Sequence, residues 1–559
     1  MHVALSRKTR ELSALKRLIN EENMTFSFDT LKSNICTKKF ANKAMKLIGL
    51  FVLSFLFLLV FSLWTSPMYR NWYGCDAAFF TMAGRGIKHG WVPYRDFFDL
   101  KGPYFFFLEA LGQMICEGRT GAFIMQVFAL FFALLLMIKT CRLFVSTRKT
   151  TFIVGLILTF YASTLWGGNT LEEYALPLVL LSYYVVLRDC TVGLHNQFTI
   201  RHQAPNCKPS SALIVGICFG IIAFAKITVA SPIVGLVLAI IYCYVKERDF
   251  YKLIEFLLYS FLGVLLAITP IFIYFFYHGM LSRMIYAVFQ FAFLRSIDFG
   301  TEFSLMWELK ISGCYFAIIF VICQILPRIE KSLQDDGHRF TIKLAQHSFG
   351  ELERVPNCKP ILLASALFSG IITALTLHLG DPFIYYFTTV YPIIMVTLIA
   401  MFTIYDPFIL FRKWRLDIPV VALLVFIGYF AGHTGNQLRT VIYDRDDTYY
   451  QTYVDQANEM ASLIPAEDYD SVYSINMDMQ WFECNNILPC FPYTINCQFF
   501  CVLDPQIKED IINKIKNDPP KWIVVGGDLY SYISEVYDVV SPKYEIVYEN
   551  DYGALYLLQ

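Results

Sequence analysis

The chain has 559 residues, with 46 basic and 46 acidic side chains, so its formal net charge is zero. Hydrophobic residues make up 56% and charged residues 16%, with a mean hydropathy of +0.49, whereas a soluble chain carries about a quarter charged residues. That balance argues against an ordinary soluble enzyme and carries no global signature of nucleic-acid binding, and several apolar runs of roughly 20 residues fit a polytopic membrane protein.

Residues 1–46 are polar and basic, with ten Lys or Arg against four acids. They contain no short apolar stretch with a small-residue cleavage site, and the positive-inside rule puts this end in the cytoplasm. A first span is expected over about 47–64, running outward. Tyr73–Tyr104 follows, the densest group of ionisable residues beside a span: Asp76, Arg85, Lys88, His89, Arg95, Asp96, Asp99 and Lys101. The apolar run 104–116 is too short to cross a hydrocarbon core about 30 Å thick and reads as an interfacial helix. The run 121–141 then ends at Lys139, Arg142, Arg148 and Lys149 on the cytoplasmic side. Further spans alternate over about 151–166, 174–187, 211–226, 229–245, 253–277, 309–326, 361–378, 384–404 and 418–433. This gives about eleven spans, N-terminus inside and C-terminus outside, in a plasma membrane.

The tail 434–559 carries mixed charge. Helix-like stretches at 448–463 and 505–517, and strand-like VYSIN, KWIVVGG, KYEIVYE and ALYLL, predict a small α/β domain on the outer face. The domain plan is therefore a basic segment 1–46, a membrane module 47–433 whose first external loop is 65–120, and the tail. The pentapeptide PNCKP occurs twice, at 205–209 and 356–360, each copy just before an outward span; five residues hint at a repeated junction without establishing a duplicated fold. Of 15 cysteines, most read as small apolar packing groups. Cys484, Cys490, Cys497 and Cys501 cluster in the tail, where one or two disulfides, with three pairings open, are one reading if it faces an oxidising space, and free thiols the other; both are favoured over zinc.

With this topology the polar residues gather at the outer ends of the spans, where ionisable groups line cavities or pathways. Asp76 can serve as a general base toward a hydroxyl or cap the helix that follows. Asp96 and Asp99, flanking Phe97-Phe98, bind substrate or a divalent metal, or shape a turn. Lys101 and Lys226 suit a phosphate or snorkel to the interface. Glu172 and Glu173 place a second carboxylate opposite Asp76, or complement a helix dipole. Arg283, Arg295, Asp298 and Glu302 form a further external group, and His378, Asp381, Tyr385 and Tyr386 another. No P-loop, GxGxxG, HExxH or GxSxG context is present, so soluble nucleotide chemistry has no seat.

The first external loop resembles that of the GT-C superfamily of membrane glycosyltransferases, in the bacterial branch of protein mannosyltransferases and aminoarabinose transferases. The residues that carry the likeness are Asp76, Gly90, Pro93-Tyr94-Arg95-Asp96, Lys101-Gly102-Pro103 and the apolar helix from Tyr104. More loosely it extends to NTLEEYALP at 169–177, to Lys226, and to YYFTTVYP at 385–392, where Tyr385 stands in place of a His common in relatives. It spans most of 45–404 and touches the tail only in placement. The resemblance implies a transferase that takes sugar from a polyprenyl-phosphate donor and passes it to a glycan, lipid or protein acceptor at the outer membrane face. It implies Asp76 as base, Glu172 or Glu173 as a second acid, and Lys101, Lys226 and Arg95 around the donor phosphate. Asp96, Asp99, Arg283, Arg295 and Tyr385 become candidate substrate contacts. No cofactor is implied beyond a divalent metal at most. The competing classes are a lipid-linked-sugar transporter or flippase, which would place its charges near the midplane in broken, repeated helices, and a non-catalytic envelope assembly protein.

Overall fold

The computed structural model describes residues 28–71, 73–165, 167–192, 206–298, 313–322, 358–377, 383–404, 448–495, 497–527 and 533–559, with isolated positions at 427, 428, 432, 435 and 529. Glu302, His378, Asp381, the loop 327–357 and most of the expected span 418–433 lie outside the described residues. Two compact units emerge, residues 1–53 and 54–559; the second holds the sites described below.

The membrane part begins with α1 (Phe28–Phe61), α2 (Cys75–Lys88), α3 (Pro103–Ile115), α4 (Arg119–Cys141), α5 (Thr147–Thr164) and α6 (Leu171–Val192). It continues with α7 (Pro209–Ala223), α8 (Ser231–Lys246), α9 (Phe250–Tyr277), α10 (Leu281–Ile285), a π-helical turn Tyr286–Phe291 and α11 (Ala292–Asp298). After α12 (Gly313–Ile322) come α13 (Lys359–Leu377), a 3-10 segment Ile384–Val390 and α14 (Tyr391–Ile404). Six described segments are long and apolar enough to cross a membrane: Ala41–Phe61, Arg119–Cys141, Ile227–Lys246, Phe250–Tyr277, Lys359–Leu377 and Ile384–Thr403. α3 has 13 residues, too few to span, as its sequence predicts.

Local chemistry sets the helix starts. Pro103, Pro209 and Pro232 occupy first-turn positions, where a missing N–H costs nothing. Asp249 caps α9 by accepting from the Lys252 amide. Burial then separates the segments by role. Ile384–Thr403 is 83% buried and lies at the centre of the helix packing, whereas Phe250–Tyr277 is 22% buried. The latter leaves Leu258, Phe261, Ile273 and Phe276 exposed, an apolar face suited to lipid. α7 and α9 pack backbone to backbone: a β-carbon on Gly216 would lie 1.8 Å from the Ser260 carbonyl oxygen.

The two PNCKP copies converge. Pro209 opens α7 and Lys359-Pro360 open α13. Cys207 and Cys358, equivalent positions of the repeat, are both buried beside Cys190, whose carbonyl accepts from the Cys358 thiol at 3.5 Å.

The tail supplies α15 (Thr448–Ser462), β1 (Val472–Ile475), α16 (Met479–Cys484), α17 (Cys497–Leu503), α18 (Pro505–Asn517), β2 (Trp522–Gly526), α19 (Ser534–Val540), β3 (Tyr544–Asn550) and β4 (Gly553–Leu558). The sheet order is β1-β2-β4-β3. β1 and β2 run parallel, with α16–α18 between them in sequence, and β4 is antiparallel to both its neighbours. Ile507, Ile511 and Ile515 of α18, four residues apart, share one apolar core with Tyr473, Ile523 and Val525 of the sheet. That same core takes in Val92, Tyr94 and Phe98 of the first loop and Ile271, Phe275 and Phe291 beyond it. Of the two readings of the tail cysteines, free thiols hold: Cys484, Cys490, Cys497 and Cys501 are all unbridged. Cys497 donates to the Tyr493 carbonyl at 2.8 Å and Cys484 to that of Trp481 at 3.4 Å, so each thiol is turned toward its own backbone.

Candidate active site

The loop between α1 and α3 is built by backbone constraints. Gly74 caps α2 with no side-chain bond, so Asp76 lies in the first turn instead of at the cap. There the helix dipole favours its negative charge. Asp76 is half-buried and, among the described residues, has no hydrogen bond or ion pair. After α2 the chain turns at Tyr94, whose φ of 67° lies in the left-handed region and whose ring is fully buried. Asp96 closes this turn by accepting from the Val92 amide at 2.7 Å and from Arg95 at 2.8 Å. The Tyr94 hydroxyl donates to the Lys101 carbonyl at 2.8 Å. The Gly102 amide donates to the Ala225 carbonyl at 2.7 Å, and a β-carbon on Gly102 would sit 1.6 Å from the Phe224 carbonyl oxygen. Only glycine allows so close an approach, and it brings Lys101 next to Lys226.

A charged cluster results. Lys101 Nζ lies 3.4 Å from Asp99 and 4.6 Å from the centre of the Phe80 ring. Asp76, Lys226 and Arg295 are within electrostatic reach of it. Burial works against the Lys101 charge, but Asp99 and then Asp76 outweigh it and hold its pKa above the usual lysine value. Lys226 sits in the break between α7 and the 3-10 turn Ile227–Ala230. Its Nζ is 2.8 Å from Glu172 and 3.6 Å from the centre of the Tyr386 ring. Buried Tyr385 stacks edge-on against Tyr386, their centroids 4.7 Å apart, within reach of Asp76 and Glu172. An apolar crevice lined by Tyr104, Leu108, Leu178 and Ile221 runs on beside Ala225.

The sequence candidates thus fall into three groups. Asp76, Asp99, Lys101, Glu172, Lys226, Arg295 and Tyr385 converge. Arg95, Asp96 and Arg283 instead border a separate cavity of about 480 Å³ with Trp91, Tyr493 and Asp510. Glu173, next to Glu172 in sequence, belongs to neither: it accepts from Gln126 at 2.8 Å, from Tyr161 at 3.1 Å and from the Thr170 amide at 2.9 Å, buried among helices. One helical step separates the two acids by about 100°, which sends one toward Lys226 and the other into the packing.

Asp478 went unforeseen. It sits ahead of α16, caps it through the Gln480 amide, and faces Cys75 and Asp76. Burial, and then the nearby Asp76, push its carboxyl above the ordinary value. Its only sequence signal is that of a helix cap, 402 positions along the chain numbering from Asp76. Among the described residues no group of three or more His, Cys, Asp or Glu is placed to hold a metal ion.

No family model matches the sequence, and none of the curated proteins matches it significantly. Solved structures do. ArnT from Cupriavidus metallidurans bound to undecaprenyl phosphate aligns over 92% of this chain and 98% of its own, at 13% identity and a TM-score of 0.52. The apo form of that protein aligns over the same shares at 14% identity and 0.51. The chain has the ArnT fold. An apo oligosaccharyltransferase of Archaeoglobus fulgidus also aligns, over 88% of this chain and 71% of its own, at 13% identity and 0.48. The likeness to ArnT extends over 92% of the chain, well beyond Asp76, the Pro93–Asp96 turn and Lys101-Gly102-Pro103, on which the sequence resemblance rests.

Proposed function

We propose that the chain is a membrane glycosyltransferase that moves a sugar from a polyprenyl-phosphate donor to a cell-envelope acceptor, a glycan, lipid or protein. The observation that carries this reading is the convergence of Asp76, an acid without hydrogen bond or ion pair among the described residues, with two partly buried lysines near a small apolar crevice, in a fold shared with a protein crystallised with undecaprenyl phosphate. Lys101 and Lys226 hold the donor phosphate, with Arg295 near them, and the crevice beside Tyr104 takes the first part of the lipid. Asp76 takes the proton from the acceptor hydroxyl as its oxygen attacks the anomeric carbon. The bond from that carbon to the phosphate oxygen breaks, and the lipid phosphate leaves with the electron pair. Charge builds on the leaving phosphate in the transition state, where preorganised cations act most strongly. One such displacement inverts the anomeric centre.

Glu172 holds Lys226 in place, and Tyr385 lines the site. Asp99 orients Lys101, and Glu173 has a packing role. The topology that goes with this reading has about eleven spans, a cytoplasmic N-terminus, and the cluster and tail on the outer face.

Asp76→Asn tests it. Purified, folded Asp76→Asn in lipid nanodiscs, given a radiolabelled panel of polyprenyl-phosphate sugars with membrane acceptors, should lose about 10²–10⁴-fold in turnover, the range for removing a general base. Transfer at the wild-type rate would overturn the assignment.

A further inference from the structure

The cavity of about 480 Å³ between the first-loop turn and the tail has no part in the donor cluster. Its size falls within the roughly 300–1,000 Å³ of small-molecule sites. Trp91 is half-buried, its ring packed at 6.2 Å on Phe97, and Phe491 stands on the tail side. Such ring faces suit the C–H face of a pyranose. The rim carries three cations, Arg95, Arg283 and Lys514, against two carboxylates, Asp96 and Asp510.

The carboxylates are already engaged. Asp96 is taken by the Val92 amide and Arg95. Asp510 accepts from the Tyr493 hydroxyl at 3.0 Å and from Gln506 at 3.1 Å. Among the described residues Lys514 pairs with Asp518 alone, whose side chain is 81% exposed, a contact of little strength in water. Arg283 donates to the Tyr493 hydroxyl and lies over its ring, so its charge meets no carboxylate there. The surplus charge is basic, and it lies beside aromatic rings.

We propose that this cavity binds an anionic saccharide, a pyranose bearing a carboxylate or phosphate. Its role as the acceptor end rests on the glycosyltransferase reading above; its binding does not. A neutral sugar would leave Arg283 and Lys514 unanswered, and a bare anion would leave the rings and most of the volume unused. The site is tied to the donor cluster: the Phe98 amide donates to the Pro492 carbonyl at 3.0 Å, two residues from Asp96 on one side and one from Asp99 on the other. An occupant would thus brace the turn that carries Lys101.

Calorimetric titration of the full chain in nanodiscs tests this with four probes: glucuronic acid, glucose 6-phosphate, glucose and inorganic phosphate. Both acidic sugars should bind at least about tenfold tighter than glucose and than inorganic phosphate, the size of one charge-assisted hydrogen bond. Lys514→Gln and Arg283→Gln should each remove most of that difference, while Lys101→Gln should keep it. Lys514 is half-buried at the rim and its carboxylate partner is exposed, so its variant answers the question even if Arg283→Gln misfolds. The proposal is overturned if no probe binds, if glucose binds as tightly as the acids, or if inorganic phosphate matches glucose 6-phosphate. It is equally overturned if loss follows Lys101→Gln and not the rim variants. Should Asp76→Asn prove fully active, the transferase reading falls while this binding result stands on its own.

Discussion

Lys226 Nζ lies 2.8 Å from Glu172, in surroundings that leave the acid 2% exposed, while Asp76 has no such tie among the described residues. Glu172 is buried and Lys226 only partly so; they support each other, and removing one strands the other at a cost of up to about 3–5 kcal/mol. Glu172→Gln should therefore lower the thermal midpoint as well as turnover, whereas Asp76→Asn should lower turnover alone. Melting curves of the two variants in the same detergent separate the roles. Glu109 is a different case. It sits on α3, 1% exposed, and neither carboxyl oxygen has a hydrogen-bond partner of good geometry. Burial pushes its pKa up to about 8, softened by Asn169 and raised further by Glu483 and Glu173. The folded chain thus holds a proton that the unfolded chain releases near the ordinary carboxylate value. Its stabilising share is whole below that value and drains away as the pH rises toward about 8. Glu109→Gln should flatten the fall in thermal midpoint between about pH 5 and 8, read by scanning fluorimetry; a wild-type slope in the variant would refute the account.

At the scale of elements, the turn from Tyr94 to Gly102 places Lys101, and a single β-carbon tests it. Gly102→Ala would push against the Phe224 carbonyl at 1.6 Å, a backbone atom that cannot swing aside. It should lower both midpoint and transfer even though Gly102 touches no substrate, and Gly90→Ala, with open space around its β-position but φ of 98°, should cost about 1 kcal/mol through strain alone. The same turn shows what could be read from sequence. Asp76, the Pro93–Asp96 turn and Lys101-Gly102-Pro103 are close in the chain, so their joint placement was legible. Arg95 and Asp96 were read toward the phosphate and substrate, yet the left-handed residue at Tyr94 turns them to the other side. Glu172 and Glu173 could not be told apart without the helix phase. Asp478 was invisible because its neighbours come from a distant part of the chain. The four tail cysteines cluster in the sequence in a way that leaves disulfides and free thiols equally open, and only their positions in the folded tail show them unbridged.

On the scale of the molecule, the tail and the first loop form one core, with Tyr94 and Phe98 packed among residues of the sheet. Arg85 of α2 strengthens the joint: it donates to Asn486 at 2.6 Å and to the Ile487 carbonyl at 3.1 Å, and lies 3.5 Å from Glu483. A stop codon after Tyr552 would delete β4, which hydrogen-bonds to both β2 and β3. That variant should reach the membrane yet show new protease cuts in 73–104 and no transfer; an intact first loop in it would refute the shared core.

The place of β4 has a consequence in time. It is the last of the four strands to leave the ribosome, yet it occupies an interior position in the sheet. Until it is made, β2 and β3 have nothing to join them, and the loop that carries Asp76 and Lys101 lacks the floor against which Tyr94 and Phe98 are packed. Helices made earlier would wait, threaded but without a finished floor, for β4. Under the proposed function, the site would therefore stay incomplete until residues 553–558 have emerged and paired with β2 and β3.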